Sequence, residues 1–219
     1  MIAIQSLVER LATVFAEGEH KLEAMRAREE YFERAGKVFD DDGDLFESRM
    51  SSFLEWYIAE RPFHGGAPPA LRVVLALPGQ VTDQVTDQFT DDERRAAVHL
   101  CTSHRSLFEL VSASEGRLEL NDLVGGARFS VTERRRTIGF EAGALFEARL
   151  LWDGGSVVFG KTFLFHPPDA RERVLELADR TIEQGKPAAE LLFQLSRLHV
   201  RWHRFGHLAA LKIYGGEPT

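Results

Sequence analysis

Between residues 106 and 166 short apolar runs alternate with glycine-bearing turns, whereas the flanking segments carry the three- and four-residue apolar spacing of helices. The turns fall at Glu115-Gly116, Gly125-Gly126, 139–143 and Asp153-Gly154-Gly155, and they bound five candidate strands at 107–111, 117–123, 128–132, 144–152 and 156–165. In the fourth strand Phe146, Ala148, Leu150 and Trp152 share one face, and in the fifth Val157, Phe159, Phe163 and Phe165 do. Asp153-Gly154-Gly155 is a hairpin signal between them. Five strands joined this tightly curl into a sheet or close into a barrel. The expected fold is therefore α+β, with a small five-stranded antiparallel sheet or barrel flanked by N- and C-terminal helices.

The first helical stretch, 2–37, places Ile4, Val8, Leu11, Phe15, Leu22, Met25 and Phe32 on one seam and Arg26, Glu30 and Arg34 on the outer face. Such a helix packs on its own domain or on a second copy in a homodimer, and Gly18 at a seam position argues for the former. Asp40-Asp41-Asp42-Gly43-Asp44 has the look of a calcium loop. With Gly43 as the sixth loop residue, though, Val38 and Arg49 would occupy the first and twelfth positions, where carboxylates are required. The acids read instead as the start of a helix over 45–60 that stops before Pro62. Its stripe is Phe46, Met50, Phe53, Leu54, Tyr57 and Ile58, with Trp56 beside it.

Residues 63–92 contain Gly65-Gly66, Pro68-Pro69 and a tandem beginning at Val81, Val85 and Phe89. They read as an acidic connector, either a solvated loop or a docking segment for a basic partner, ending in the N-cap of a helix over 92–104. Beyond residue 166 helices are expected at 169–185 and 187–214, the latter with Leu191, Leu195, Leu198, Trp202, Phe205, Ala209 and Ile213 on one face. The chain thus divides into a helical region (1–104), a β module (105–166) and C-terminal helices (167–219).

In a chain of 219 residues, an apolar content of 44% with 16 phenylalanines is enough for a substantial core. Cys101 is the single cysteine, so neither an intramolecular disulfide nor a multi-cysteine zinc site can form, which fits a cytoplasmic setting. Glu9-Arg10 interrupt the apolar start before it could serve as a signal segment, and no run reaches the ~18 apolar residues of a membrane span. The net charge of −7 is uneven: residues 1–104 carry 11 basic and 19 acidic side chains, residues 105–219 carry 16 and 15. This acidity disfavours nucleic acid as a partner unless the second half presents a basic face.

Three constellations could supply such chemistry. Arg134, Arg135 and Arg136 lie between strands and, with Arg128 and Arg149, would make a basic β face for a nucleotide or oligonucleotide. On the last helix Arg197, Arg201 and Arg204 form a cationic row suited to a protein partner. Beside them His199, His203 and His207 recur every four residues, a spacing that can chelate a metal. No carboxylate stands among those histidines and the arginines oppose a cation, so they read first as the edge of a core and no metal is assigned. Cys101 and His104 stand at nucleophile–base spacing on the expected helix, without an orienting third group; a buried lone cysteine is the commoner state. The spacing G-x-G-x-x-G does not occur, and the string Gly155 to Thr162, which spells G-x-x-x-x-G-K-[ST], runs from a hairpin turn into the fifth strand and not from a strand into a helix.

Three segments, Phe53-Leu-Glu-Trp-Tyr-Ile-Ala-Glu-Arg-Pro62, Ser106-Leu-Phe-Glu-Leu110 and Leu120-Asn-Asp-Leu-Val-Gly-Gly126 followed by Arg128-Phe-Ser-Val131, resemble a group of bacterial proteins of unassigned function. Some of that group carry a zinc-binding cysteine-rich tail, which this chain lacks. The resemblance implies helices leading into a small β domain and brings no activity with it. With no convergent catalytic set, no cofactor signature and a charge division between its halves, the chain reads as a non-enzymatic cytoplasmic binding or adaptor protein with a protein partner. Nucleic-acid or nucleotide binding is the first alternative and metal binding by the histidine row the second.

Overall fold

Gly18 decides how the first helical stretch is divided. Its φ of +57° is left-handed and opens a 3₁₀ turn over Gly18–His20, so two helices, α1 (Ile4–Ala16) and α2 (Lys21–Ala35), replace the single one expected. The break resets the seam: Leu22 and Met25 are 68% and 57% exposed, while Ala27, Tyr31, Phe32 and Ala35 turn inward. The computed structural model describes residues 4–76, 86–133, 140–206 and 208–216.

Asp40–Asp42 form a 3₁₀ turn; Asp42 accepts from the Phe39 amide (2.8 Å) and from Arg204 (2.8 Å). Helix α3 (Asp44–Ala59) follows. The expected connector contains a further helix, α4 (Pro69–Leu75), which Pro69 opens as its first residue. Thr90 and Glu93 close a reciprocal capping box at the start of α5 (Asp91–Cys101).

The strands are β1 (His104–Ser114), β2 (Arg117–Asp122), β3 (Arg128–Thr132), β4 (Leu145–Trp152) and β5 (Val157–Phe165), closed into a barrel in the order β1-β2-β3-β5-β4. Antiparallel pairing joins β1 to β2 and β4, β2 to β3, and β4 to β5; the seam between β3 and β5 is parallel. Phe108, Leu110, Leu120, Val131, Phe146 and Phe159 fill the interior. At the β2–β3 turn Asp122 accepts from Ser106 Oγ (2.6 Å), His104 Nε2 (2.6 Å) and the amides of Val124 and Gly125 (3.0 Å each). Burial alone would raise its pKa, but these donors outweigh burial and hold it at about 2.

The chain ends in α6 (Arg171–Glu183), α7 (Ala188–Arg204) and α8 (Ala210–Gly215). The helix expected over 187–214 is broken at Phe205-Gly206, and Asp169, from a turn 41 positions earlier, accepts the first amide of α8 from Ala210 (3.1 Å). Helix α7 joins the cores. Phe193 and Val200 pack with Tyr31, Phe53 and Trp56 of the helical body, while Leu191, Leu195 and Leu198 pack with Leu107, Leu145, Val174 and Ile213. Among the described residues no helix is long and apolar enough to cross a membrane.

The end of α2 meets α7 at Gly36, whose φ is +94° and whose added Cβ would lie 3.3 Å from Arg197 Cα and Val200 Cβ. Gly36→Ala combines left-handed strain with overpacking against a backbone, and is expected to lower the unfolding free energy in urea by about 2–4 kcal/mol.

Candidate site between the helices and the barrel

Alternation along β4 puts Phe146, Ala148 and Leu150 inside the barrel and Glu147, Arg149 and Leu151 outside, where helices cover them; both faces are buried. Opposite Arg149 the strands fall out of step. The pair Ala148–Phe163 is followed by Leu150–Phe159, so Gly160, Lys161 and Thr162 of β5 face one residue of β4. Glu55 of α3 fills the gap in the ladder, accepting from the Lys161 amide (3.0 Å) and the Thr162 hydroxyl (3.5 Å). Gly160 makes this approach possible, since a Cβ there would stand 3.2 Å from Glu55 Oε1.

Charged groups line the rest of this seam. Arg149 hydrogen-bonds Glu60 and Ser103 (2.8 Å) and lies 3.4 Å from Glu55. Arg105 donates to Glu147 (2.8 Å) and lies 3.8 Å from Glu60. Burial pushes the Glu60 carboxyl upward, but Arg149 and Arg105 prevail and hold it below the usual carboxylate range. Arg49 is buried with Tyr31 (2.9 Å) and Ser196 (2.5 Å) as hydrogen-bond partners, and among the described residues it has no carboxylate partner. A cavity of about 10 Å³ lies among Arg49, Arg105, Arg149, Glu55 and Glu147. Arg49 Nε, Arg105 Nη1, Glu147 Oε2 and Arg149 Nε are all buried there without a hydrogen-bond partner. The cavity is roughly large enough for one water.

Along the same seam, toward α1, α5 and the β4–β5 hairpin, the space widens to a half-open cavity of about 670 Å³. Its walls are mostly apolar: Ile4 and Val8 of α1, Ala96 and Leu100 of α5, and Leu151 and Val158 of the barrel. Glu55, Asp92, Arg95, His99, Arg149, Asp153 and Lys161 are the charged and polar residues of the lining. A volume of about 300–1,000 Å³ with apolar walls and few polar groups is the usual form of a small-molecule site.

The chain matches no family model, no curated protein and no solved structure.

Arg134, Arg135 and Arg136 lie outside the described residues. Arg149, grouped with them as part of a basic face, is buried in the ionic seam and faces the helices. The described outer surface of β2 and β3 carries Arg117, Glu119, Asn121, Arg128 and Ser130, with Ser130 bonded to Glu119 (2.7 Å) and Asn121 to Glu109 (3.2 Å). None of these is an aromatic that could stack a base. In the other arginine row, Arg197 donates to the carbonyls of Glu33 (2.9 Å) and Arg34 (3.0 Å), closing the end of α2. Arg204 is bound to Asp42 and lies over the Phe39 ring, 4.7 Å from its centroid. Arg201 stays exposed beside a groove of about 220 Å³ that Arg34 and Phe193 also line.

Of the histidines, His199 is largely buried, His203 is exposed and His207 lies outside the described residues. Among the described residues no three His, Cys, Asp or Glu side chains are grouped to hold a metal ion. His104 is engaged with Asp122, and burial raises the Cys101 thiol above its usual pKa, so the two do not form a nucleophile–base pair. The sequence pattern had not singled out Glu55, Glu60 or His166. Glu55 and Glu60 do fall within the segment 53–62 that carries the resemblance.

Proposed function

We propose that the protein binds a small, largely apolar molecule in the cavity between α1, α5 and the β4–β5 hairpin. The single observation that carries this reading is the cavity itself, about 670 Å³ with mainly apolar walls. Its charged neighbours favour binding over catalysis. Glu55 completes the β5 bulge and Arg149 is paired with Glu55 and Glu60, so these carboxylates are already engaged by the protein itself.

The test fills the cavity. Ala96 lies on the α5 wall, and Ala96→Trp places an indole in the space a ligand would take. Titration with the uncharged fluorophore N-phenyl-1-naphthylamine is expected to show enhanced emission with the parent protein and at least about tenfold weaker binding with the variant, as loss of a buried apolar contact area implies. Circular dichroism checks that the variant is folded. Absence of binding to the parent protein, or equal binding to a folded variant, overturns the reading.

A further inference from the structure

We infer that the ligand is an amphipathic anion, with its apolar body in the cavity and its acidic group at Lys161 and His99; this rests on the cavity being a ligand site. Most charges lining the cavity already have partners within the protein. Asp92 is paired with Arg95. Asp153 accepts the amides of Gly155 (3.0 Å) and Ser156 (2.8 Å) in its own turn. Glu55 is held by Arg149 and by the amide of Lys161. Each lining acid therefore has donors from the protein itself, and a cationic ligand would have to compete with them.

The bases divide differently. Arg95 and Arg149 belong to the pairs just named, but among the described residues neither the Lys161 ammonium nor the His99 imidazole has a hydrogen-bonding or ionic partner. Lys161 is exposed and His99 half-buried, at the rim of a cavity whose interior is apolar. The position of Lys161 is fixed by the bulge: its backbone amide is anchored on Glu55, so the side chain leaves β5 where the pleat is interrupted. An apolar chamber with an unpaired ammonium at its mouth complements a carboxylate, sulfonate or similar anionic head on an apolar body.

Two probes that share a ring system and differ in charge provide the test: 8-anilinonaphthalene-1-sulfonate and uncharged N-phenyl-1-naphthylamine. The parent protein is expected to bind the sulfonate about tenfold more tightly, the scale of one charge-assisted contact at a partly solvated site. Lys161→Met should erase that preference while leaving the neutral probe within about twofold, and Lys161→Arg should restore it. Ala96→Trp should weaken both probes, placing them in the same cavity. Equal affinity of the parent protein for the two probes, or a Lys161→Met variant that keeps the preference, overturns the anionic class while leaving the cavity reading intact. Failure of both probes to bind, or indifference of both to Ala96→Trp, removes the cavity reading and this inference with it.

Discussion

Lowering the pH from 7 to 5 is expected to cost the folded protein about 4 kcal/mol, divided between His166 and His199. Both imidazoles are held neutral, with pKa values pushed from an ordinary 6.5 to about 3. Burial is the main cause for each. Arg49 adds to it for His166, and His166, Arg49 and His203 add to it for His199, with Glu147 pulling weakly the other way. The His166 ring has Tyr214 OH 3.1 Å from Nδ1, and its Nε2, like Nδ1 of His199, is buried without a hydrogen-bond partner.

In the unfolded chain these rings take up protons as the pH falls past 6.5, whereas in the folded chain they do so only near 3. The stabilisation is therefore complete above 6.5 and is lost progressively between 6.5 and 3, by about 2 kcal/mol per ring at pH 5. Glu60 and Asp122 are held below their usual values, so both remain ionised between pH 7 and 5. Urea unfolding at pH 7 and pH 5 measures the loss, and a His166→Asn/His199→Gln double variant should show a flat profile whatever its own stability. Equal parent stabilities at the two pH values would contradict the assignment.

Removing Arg149 should have a similarly large effect. Arg149→Ala leaves Glu55 buried and Glu60 mostly so, without their shared cation, and breaking a buried ionic group from one side costs about 3–5 kcal/mol. Against a typical domain stability of about 5–15 kcal/mol, this is a severe loss. In Arg149→Met/Glu55→Gln the amide oxygen can still accept from Lys161, so the double variant should recover about half of the deficit or more. Chemical denaturation of the three proteins completes the comparison. A loss below about 1 kcal/mol for Arg149→Ala would mean that the carboxylates find other partners or solvent.

Arg149 also shows where sequence reading stops. Turn residues and alternation locate all five strands, because Asp153-Gly154-Gly155 and its counterparts act through local backbone geometry. The role of Arg149 depends on Glu55 and Glu60, which belong to α3 and its end, 94 and 89 positions earlier, and no local period reports that pairing. The apolar period likewise marks α7 but runs on past Gly206, since the cap that starts α8 comes from Asp169. Trp152 follows the interior alternation of β4 yet is half-exposed at the strand end, and the parallel seam between β3 and β5 has no signature in either strand. The cavity was invisible for the same reason as the ionic seam: its walls come from α1, α5 and two strands.

Helix α7 gives the molecule a definite order of assembly during synthesis. A ribosome completes the helical body and all five strands before it makes Phe193 and Val200, which cover Tyr31 and Trp56, or Leu195, which joins the layer over Leu107. Until that last segment emerges, Leu107 and Leu145 have only the cover that α6 supplies, and Tyr31 and Trp56 lack Phe193. The interval between the exit of β5 and the docking of α7 is therefore when this protein most needs protection from other chains, and a truncation that removes α7 makes that transient exposure permanent.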